Sequence, residues 1–309
     1  MEVPVAILAT RDGGNTWISQ YSATTLFLAG IAVSADGRSG WAVGDGGRIL
    51  ATCDGEAWTP QHSWTAQYLA CVAISADGRS GWAAGESGRL LATRNGGDTW
   101  TPQHSRTPEL LMGVAFASDG RSGWAVGGNG TIVATRDGGD TWRPQKSGTT
   151  EYLLNVAFAS NGRSGWIVGA NGTMLATRDS GDTWTPQESC TLLDVSGVAI
   201  SADGRSGWAV GEGGTVLATR NGGYTWASQK SGTMNELFSI AVFSDGRSGC
   251  AVGDYGTILT TSDGGDTWTR QKSSTKHRFY RVAFAADGCS GWIVGAGGIA
   301  LHPVNPPKG

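Results

Sequence analysis

The chain lacks the features that mark membrane spans, disulfide frameworks and nucleic-acid binding. None of its 309 residues lie in an apolar run long enough to cross a bilayer, so no membrane span is expected. A net charge of −3 without a basic stripe argues against general nucleic-acid binding. The five cysteines are odd in number and occupy unrelated positions, whereas a disulfide framework would repeat in a regular pattern.

Sequence patterns of catalytic and metal sites are also missing. The four histidines show no metal-ligand spacing, and the chain has no GxSxG elbow, P-loop or paired CxxC. We therefore expect no catalytic residue, no metal and no cofactor. Helices are disfavoured as well, because no stretch carries apolar residues at helical spacing and the 50 glycines weaken helices.

What the chain does contain is a regular series of tryptophans. One series advances by 41 residues once and by 42 residues five times, at Trp17, Trp58, Trp100, Trp142, Trp184, Trp226 and Trp268. A second series runs in phase with it, at Trp41, Trp82, Trp124, Trp166, Trp208 and Trp292, with Cys250 at the remaining position. A period near 40 residues indicates a repeat architecture with one supersecondary unit per repeat. Because Cys250 replaces an indole, we expect its repeat to be underfilled.

Each unit reads as four short strands separated by turn residues. In Leu153–Gln187, pieces rich in Val, Ile, Ala and aromatic residues end at Gly, Asn, Asp or Ser. Such pieces are typical of antiparallel hairpins, and four of them in about 42 residues match one propeller blade. The chain is therefore predicted to be all-β.

The two ends of the chain hold complementary half-units. Val5–Trp17 is the second half of a blade and Phe279–Gly295 is the first half of another. If the termini share one blade, the chain forms a closed ring of seven four-stranded blades, which removes exposed sheet edges. We predict one domain over residues 1–302 and a polar tail over 303–309. Gly298–His302 duplicates the strand that Val5–Thr10 could supply, so either segment could close the ring.

A second motif ends each unit. Four copies match the Asp-box pattern Ser/Thr-x-Asp-x-Gly-x-Thr-Trp, two copies carry Asn for Asp, and Thr52–Trp58 is one residue short. An Asp or Asn side chain can cap backbone N–H groups of a tight hairpin while Trp packs between sheets. We assign this structural role to the seven Trp of the first series and to Asp12, Asp54, Asn95, Asp137, Asp179, Asn221 and Asp263. A catalytic or metal role for the five aspartates is the alternative.

The combined repeat, GWAVGxxGTILATRDGGDTWTPQ, resembles the seven-bladed Asp-box propellers of the photosystem II assembly and stability factor family. The resemblance implies a non-catalytic assembly factor that binds newly made reaction-centre polypeptides on the lumenal side of the thylakoid, with a patch of arginines as one binding feature. The close similarity of the copies suggests recent amplification of one blade. Met1–Thr10 shows no export signal, so the compartment stays undetermined.

Six arginines could form such a patch. They recur at one position of an exposed turn, as Arg38, Arg79, Arg121, Arg163, Arg205 and Arg247, with Cys289 in the seventh copy. An Asp or Asn stands two residues before each arginine. If these acids cap their turns, the guanidinium groups would favour an acidic peptide or phosphate. A local ion pair, or stacking on the neighbouring Trp, would explain the repetition without any partner.

The segments between blades differ most among the copies. Variable loops on a rigid scaffold are where binding residues usually lie, although neutral drift would produce the same variation. The candidates on these segments, and on the hairpin loops expected on the same face, are Trp64, Arg106, Tyr152, Tyr255, Arg278 and Tyr280. We predict a monomeric, non-catalytic scaffold for a protein or peptide partner. The alternatives are a lectin-like module that stacks aromatic residues on glycans and an Asp-box glycoside hydrolase of the sialidase kind.

Overall fold

The protein is a ring of seven four-stranded antiparallel sheets. The computed structural model describes residues 7–22, 24–75 and 78–296. These residues form 28 strands and five single-turn 3₁₀ helices. Each sheet is one blade, so the predicted all-β, seven-bladed propeller is confirmed.

Strands are numbered in chain order, and the blades run from the axis outwards. The first strands of successive blades contact one another around the axis. They are β3 (Leu28–Val33), β7 (Leu69–Ile74), β11 (Leu111–Phe116), β15 (Leu153–Phe158), β19 (Val195–Ile200), β23 (Leu237–Val242) and β27 (Phe279–Phe284). The second strands are β4 (Gly40–Gly44), β8 (Gly81–Gly85), β12 (Gly123–Gly127), β16 (Gly165–Gly169), β20 (Gly207–Gly211), β24 (Gly249–Gly253) and β28 (Gly291–Gly295).

The two outer strands of each blade complete the sheet. The third strands are β5 (Ile49–Thr52), β9 (Arg89–Thr93), β13 (Ile132–Thr135), β17 (Met174–Thr177), β21 (Val216–Thr219), β25 (Thr257–Thr261) and β1 (Ile7–Thr10). The fourth strands are β6 (Thr59–Gln61), β10 (Thr101–His104), β14 (Arg143–Gln145), β18 (Thr185–Pro186), β22 (Ala227–Gln229), β26 (Thr269–Arg270) and β2 (Ile18–Gln20). The 3₁₀ turns lie between second and third strands, at Asp45–Gly47, Glu86–Gly88, Ala170–Gly172, Glu212–Gly214 and Asp254–Gly256.

Blades 1 to 6 take their strands in sequence from β3 to β26, whereas blade 7 draws on both ends of the chain. Its strand order is β2-β1-β28-β27, and Ile7 pairs with Val294 while Thr10 pairs with Gly291. Ile7–Thr10 therefore supplies the third strand of this blade. The alternative segment Gly298–His302 and the predicted tail, 303–309, lie outside the described residues.

The core consists of layers between neighbouring blades, and the two Trp series fill them. Trp82 of blade 2 stacks on Phe116 of blade 3, with ring centroids 3.4 Å apart. Trp142, at the end of the blade 3 Asp box, meets the same Phe116 ring edge-on at 5.9 Å. Both indoles are buried. Aromatic side chains of this size dominate the energy of such layers, so the period of the tryptophans is the period of the core.

The repeat that carries Cys250 places Phe243 beside the smaller side chain. Cys250 is fully buried in a cluster with Leu8, Val282 and Ile293, and Phe243 packs against this cluster. The other six blades carry only Ser or Ala at the Phe243 position. The Phe243 ring lies 4.4 Å from that of Phe284, measured between centroids. A bulky side chain from the neighbouring turn thus replaces the missing indole.

Strand direction separates the connections onto two faces. The turn face carries the turns between first and second strands and the Asp boxes between third and fourth strands. The linker face carries the segments that join successive blades and the loops between second and third strands. Because β-strands alternate in direction, the six turn arginines and the variable linkers are on opposite faces of the ring.

Candidate functional site

Each Asp box on the turn face is a closed hydrogen-bonded unit. In blade 3, Asp137 Oδ1 accepts from Thr135 Oγ1 at 2.7 Å and from the Thr141 N–H at 2.9 Å. Asp137 Oδ2 accepts from Thr141 Oγ1 at 2.6 Å, and Thr135 Oγ1 accepts from the Gly139 N–H at 2.9 Å. Gly139 has φ +98°, and a Cβ there would lie 2.8 Å from Trp82 Nε1. Both the backbone conformation and the close approach of the indole therefore require glycine at this position.

These hydrogen bonds favour the ionised carboxylate. The Thr141 hydroxyl, followed by the Thr141 backbone N–H, lowers the pKa of Asp137 to about 2. The matching threonine does the same for Asp179 and Asp263, whose pKa values are also lowered to about 2. The carboxylates of these boxes therefore remain charged far below neutral pH.

Two boxes keep the same geometry without a charge. Asn95 Oδ1 accepts from the Thr99 N–H at 3.1 Å, and Asn95 Nδ2 donates to Thr99 Oγ1 at 3.0 Å. Asn221 makes the equivalent pair of bonds with Thr225. In the shortened box, Asp54 Oδ1 accepts from the N–H groups of Glu56 and Ala57. The turn thus requires an acceptor at this position and does not require a negative charge.

The six turn arginines lie beside these boxes and are exposed. The acid two residues earlier accepts the arginine's own backbone N–H, as Asp119 does from Arg121 at 2.8 Å and Asn161 does from Arg163 at 2.8 Å. Among the residues that the structure describes, five of the six guanidinium groups form no salt bridge and cover no aromatic ring: Arg38, Arg121, Arg163, Arg205 and Arg247. At these five positions the acids cap their turns and the guanidinium groups face solvent.

A different arginine series ties the blades together, and the sequence interpretation missed it. Arg94 stacks over Trp82 of its own blade, 5.2 Å from the ring centroid, and donates from Nη2 to the carbonyl oxygen of Gly138 in the next blade. Four other arginines donate in the same way to a backbone carbonyl oxygen in the Asp box of the next blade: Arg11, Arg136, Arg178 and Arg220. The signal was present in the sequence, since an arginine precedes the box acid in five of seven copies.

The predicted residues of the linker face fall into two groups. Trp64, Arg106 and Tyr255 occupy loop positions with φ of 56°, 64° and 53°, and all three residues are exposed. Trp64 is 79% exposed and stacks on His62, with ring centroids 5.7 Å apart. Tyr152 is also exposed. These four residues belong to different loops, so the structure does not gather them into one site.

The other two predicted residues meet near the axis. Arg278 donates to both carboxylate oxygens of Asp254, at 2.5 and 3.0 Å, and lies 5.1 Å from the centroid of Phe238. The Tyr280 ring lies 5.8 Å from Phe27 on one side and 5.8 Å from Phe238 on the other, between centroids. An aromatic rim therefore surrounds part of the axial opening on the linker face.

The described part of the chain holds neither a metal-binding cluster nor a membrane-spanning helix. In residues 7–22, 24–75 and 78–296, no three His, Cys, Asp or Glu side chains are grouped so that they could hold a metal ion. Within the same ranges, no helix has the length and apolar character needed to cross a membrane.

Known structures share this architecture. YCF48 from Cyanidioschyzon merolae superposes with a TM-score of 0.71 at 24% identity, covering 91% of this chain and 97% of that chain. A structure described as YCF48 bound to D1 peptide gives a TM-score of 0.72 at 21% identity, covering 96% of this chain and 97% of that chain. At these identities the likeness shows the fold. No curated protein sequence matches the chain.

A family model extends the relationship to sequence. The model of the photosynthesis system II assembly factor YCF48 matches residues 103–186, 142–233 and 224–308. Together these overlapping segments span more than half of the chain. This protein therefore belongs to the photosynthesis system II assembly factor YCF48 family.

Proposed function

We propose that this chain is a non-catalytic scaffold that binds an extended segment of a protein partner at the turn face. Membership of an assembly factor family supports a protein partner, and a structurally similar YCF48 is described as bound to D1 peptide. The turn face is proposed as the binding surface because the acids beside the arginines cap their turns. At five of the six positions the neighbouring acid accepts from the backbone, which leaves the guanidinium group for a ligand: Arg38, Arg121, Arg163, Arg205 and Arg247.

Hydrogen-bonding capacity, rather than net charge, makes this face suitable. The box carboxylates on the same face already accept from threonine hydroxyl and backbone N–H donors, whereas each guanidinium offers five donors in a planar fork. Carboxylates and main-chain carbonyl groups are the acceptors that match this fork. The partner segment is therefore expected to be extended and acidic.

The Asp boxes support the non-catalytic part of the proposal. A general acid, general base or nucleophile must exchange protons or electrons with a substrate, which Asn cannot do in place of Asp. Asn95 and Asn221 occupy two of the seven boxes with the same geometry as Asp137. A turn-capping role accounts for all seven boxes, whereas a glycosidase role would account for none of the amides.

The test is a binding titration with peptides that tile the D1 polypeptide, read by fluorescence polarisation. Replacing Arg121, Arg163 and Arg205 together by Ala should weaken the best peptide by at least about tenfold, since charge-assisted hydrogen bonds contribute roughly 1.5–3 kcal/mol each when desolvated and less when exposed. Rising salt should weaken it as well, because exposed charges are screened within about 10 Å. The matched control replaces Lys146, Lys230 and Lys272 by Ala, which removes the same charge from the linker face.

Three outcomes would overturn the proposal. If peptide affinity is unchanged both by salt and by the arginine triple substitution, the turn face is excluded as the binding surface. Glycan binding that is insensitive to salt and is lost with Trp64→Ala or Tyr255→Ala would favour the lectin-like alternative instead. Hydrolysis of a sialoside or glucan above the rate in buffer would exclude a non-catalytic role.

A further inference from the structure

The side chain of Arg281 spans the axis of the ring. Arg281 is the third residue of β27, where the other six blades have Gly, Ser, Asn or Cys. Arg281 Nη1 donates to the carbonyl oxygen of Phe238 in blade 6 at 3.0 Å, and Nη2 donates to that of Met112 in blade 3 at 3.5 Å. Blade 6 adjoins blade 7, whereas blade 3 lies across the axis, so the side chain crosses the channel.

Above this arginine, on the linker face, is a pocket of about 220 Å³. One wall is aliphatic, with Ala70, Met112 and Leu154, and the other is aromatic, with Tyr68, Phe238 and Tyr280. Arg281 belongs to the same lining. Because it is deeper in its strand than the second-position residues that form the walls, its guanidinium is the floor of the pocket.

The guanidinium at the floor has no counter-ion. Among the described residues, no carboxylate oxygen lies within 4.0 Å of Arg281. Burial lowers the pKa of Arg281, with the neighbouring Cys71 and Tyr68 opposing that shift. Burial also raises the pKa of both neighbours to about 12, so the thiol and the phenol are neutral at physiological pH. The guanidinium is partly buried and donates to two backbone carbonyl groups, so an anion in the pocket would supply the counter-charge that it lacks.

Negative charge lines the same pocket nearer its opening. Asp194 and Glu236, which precede the inner strands of blades 5 and 6, are both part of the lining. Asp194 Oδ1 accepts from the Asn171 N–H at 2.9 Å. Burial, followed by repulsion from Asp254, raises the pKa of Glu236. Arg278, which is paired with Asp254, opposes this shift, and a cationic group in the pocket would oppose it further.

We propose that the axial pocket binds a free α-amino acid with an apolar side chain. Its carboxylate would contact the Arg281 guanidinium, its ammonium group would face Asp194 and Glu236, and its side chain would pack on Met112 and Leu154. This site is on the face opposite the turn arginines, so it is independent of the peptide surface proposed above.

The two charges together select this ligand class. A simple carboxylate satisfies Arg281 but must pass Asp194 and Glu236, which repel it. An amine satisfies the two acids but leaves Arg281 without a counter-ion. A zwitterion with the charges on one carbon atom satisfies both, and the cavity volume limits the ligand to a compact molecule.

The experiment compares L-leucine, N-acetyl-L-leucine and L-leucinamide by isothermal titration calorimetry with the full chain. The three share a side chain and differ in which charge is present. Leucine should bind at least about tenfold more tightly than either derivative, because each derivative is missing one of the two charged interactions. Equal affinity for leucine and either derivative would overturn the proposal, and so would the absence of leucine binding at millimolar concentration.

Variants then assign each charge. Arg281→Met should abolish the preference for leucine over leucinamide, and Glu236→Gln should reduce the preference for leucine over N-acetyl-leucine by about tenfold. Arg143→Gln, an exposed arginine on β14, is the matched control and should change neither preference. Leucine affinity unchanged in Arg281→Met overturns the proposal. Peptide binding at the turn face should be the same in all three variants, so failure of one site is distinguishable from failure of the other.

Discussion

Arg11 Nη2 donates to the carbonyl oxygen of Gly55 at 3.0 Å, and this bond connects blade 7 to blade 1. The guanidinium lies 4.8 Å from the centroid of Trp292, so it stacks and donates at once. Blades 2, 3 and 4 repeat both contacts through Arg94, Arg136 and Arg178, and in blade 5 Arg220 makes the hydrogen bond. Blade 1 has Cys53 and blade 6 has Ser262 at this position, so two of the seven junctions lack it.

Restoring the missing arginine should strengthen a junction. In Cys53→Arg, the new side chain should stack over Trp41 and reach the carbonyl oxygen of Gly96, as Arg94 reaches Gly138. We expect a gain of about 1 kcal/mol in the free energy of unfolding, from one hydrogen bond and one cation–π contact. Chemical denaturation measures it. Arg94→Ala is the reciprocal control and should lose a similar amount; a gain in Cys53→Ala equal to that in Cys53→Arg would show that removing the thiol, not adding the arginine, is responsible.

Deleting residues 1–20 should destabilise the ring severely. The deletion removes β1 and β2, and with them the buried side chains of Ile7 and Leu8, which contribute about 1.5–3 kcal/mol each. It also exposes the paired edge of β28. We expect a sharp fall in melting temperature or aggregation, measured by thermal scanning and light scattering. A synthetic peptide of residues 1–20 added to the truncated protein should restore the melting temperature. A truncated chain as stable as the full chain would contradict the pairing of β1 with β28.

Phe243 and Cys250 should be energetically coupled. Cys250→Trp alone places an indole where Phe243 already packs, and such overpacking costs about 1–3 kcal/mol. Phe243→Ser alone opens a cavity and is also destabilising. The double variant reproduces the pairing of Trp with Ser found in blades 1, 2 and 5, and should be more stable than either single variant. A double-mutant cycle from urea denaturation should give a coupling of at least about 1 kcal/mol, and simple additivity would show that the two sites do not share space.

Acid should weaken the Asp boxes over a defined pH range. Asp137, Asp179 and Asp263 have pKa values lowered to about 2, compared with about 3.9 for Asp in an unfolded chain. A lowered folded-state pKa means that these groups contribute stability above about pH 4 and lose that contribution as the pH falls towards 2. Melting temperatures should therefore fall across this range in the unmodified chain. The triple Asp→Asn variant, which copies the amides of Asn95 and Asn221, should show a shallower fall, and an identical slope would contradict the lowered pKa values.

The fold could be predicted from the sequence because its core is as periodic as its tryptophans. Every blade but one places Trp at the same two positions, so spacing alone located the layers between sheets. The half-units at the ends likewise anticipated the shared blade. The replacement of an indole by Phe243 could not be predicted in this way, because it joins positions that are not equivalent in the repeat.

The candidate sites were less accessible to sequence reasoning. The turn arginines were recognised because they repeat, but their availability depended on which atom each neighbouring acid accepts from. Arg281 was visible as an arginine outside the repeat pattern, yet its role depends on Met112, which is 169 residues away in the chain. The repeat period of one blade gives no information about contacts between blades on opposite sides of the axis.

The shared blade also has a consequence for synthesis on the ribosome. Within the ring, the β1–β2 hairpin is made before all other strands, and its partner β28 is made after them. Until then, the nascent chain holds an unpaired strand edge on both the hairpin and the growing arc of blades. Because the closing contact has almost the largest sequence separation that the chain allows, ring closure is expected to be a slow step of folding. The protein is therefore expected to be most exposed to edge-to-edge aggregation between the synthesis of β2 and the synthesis of β28.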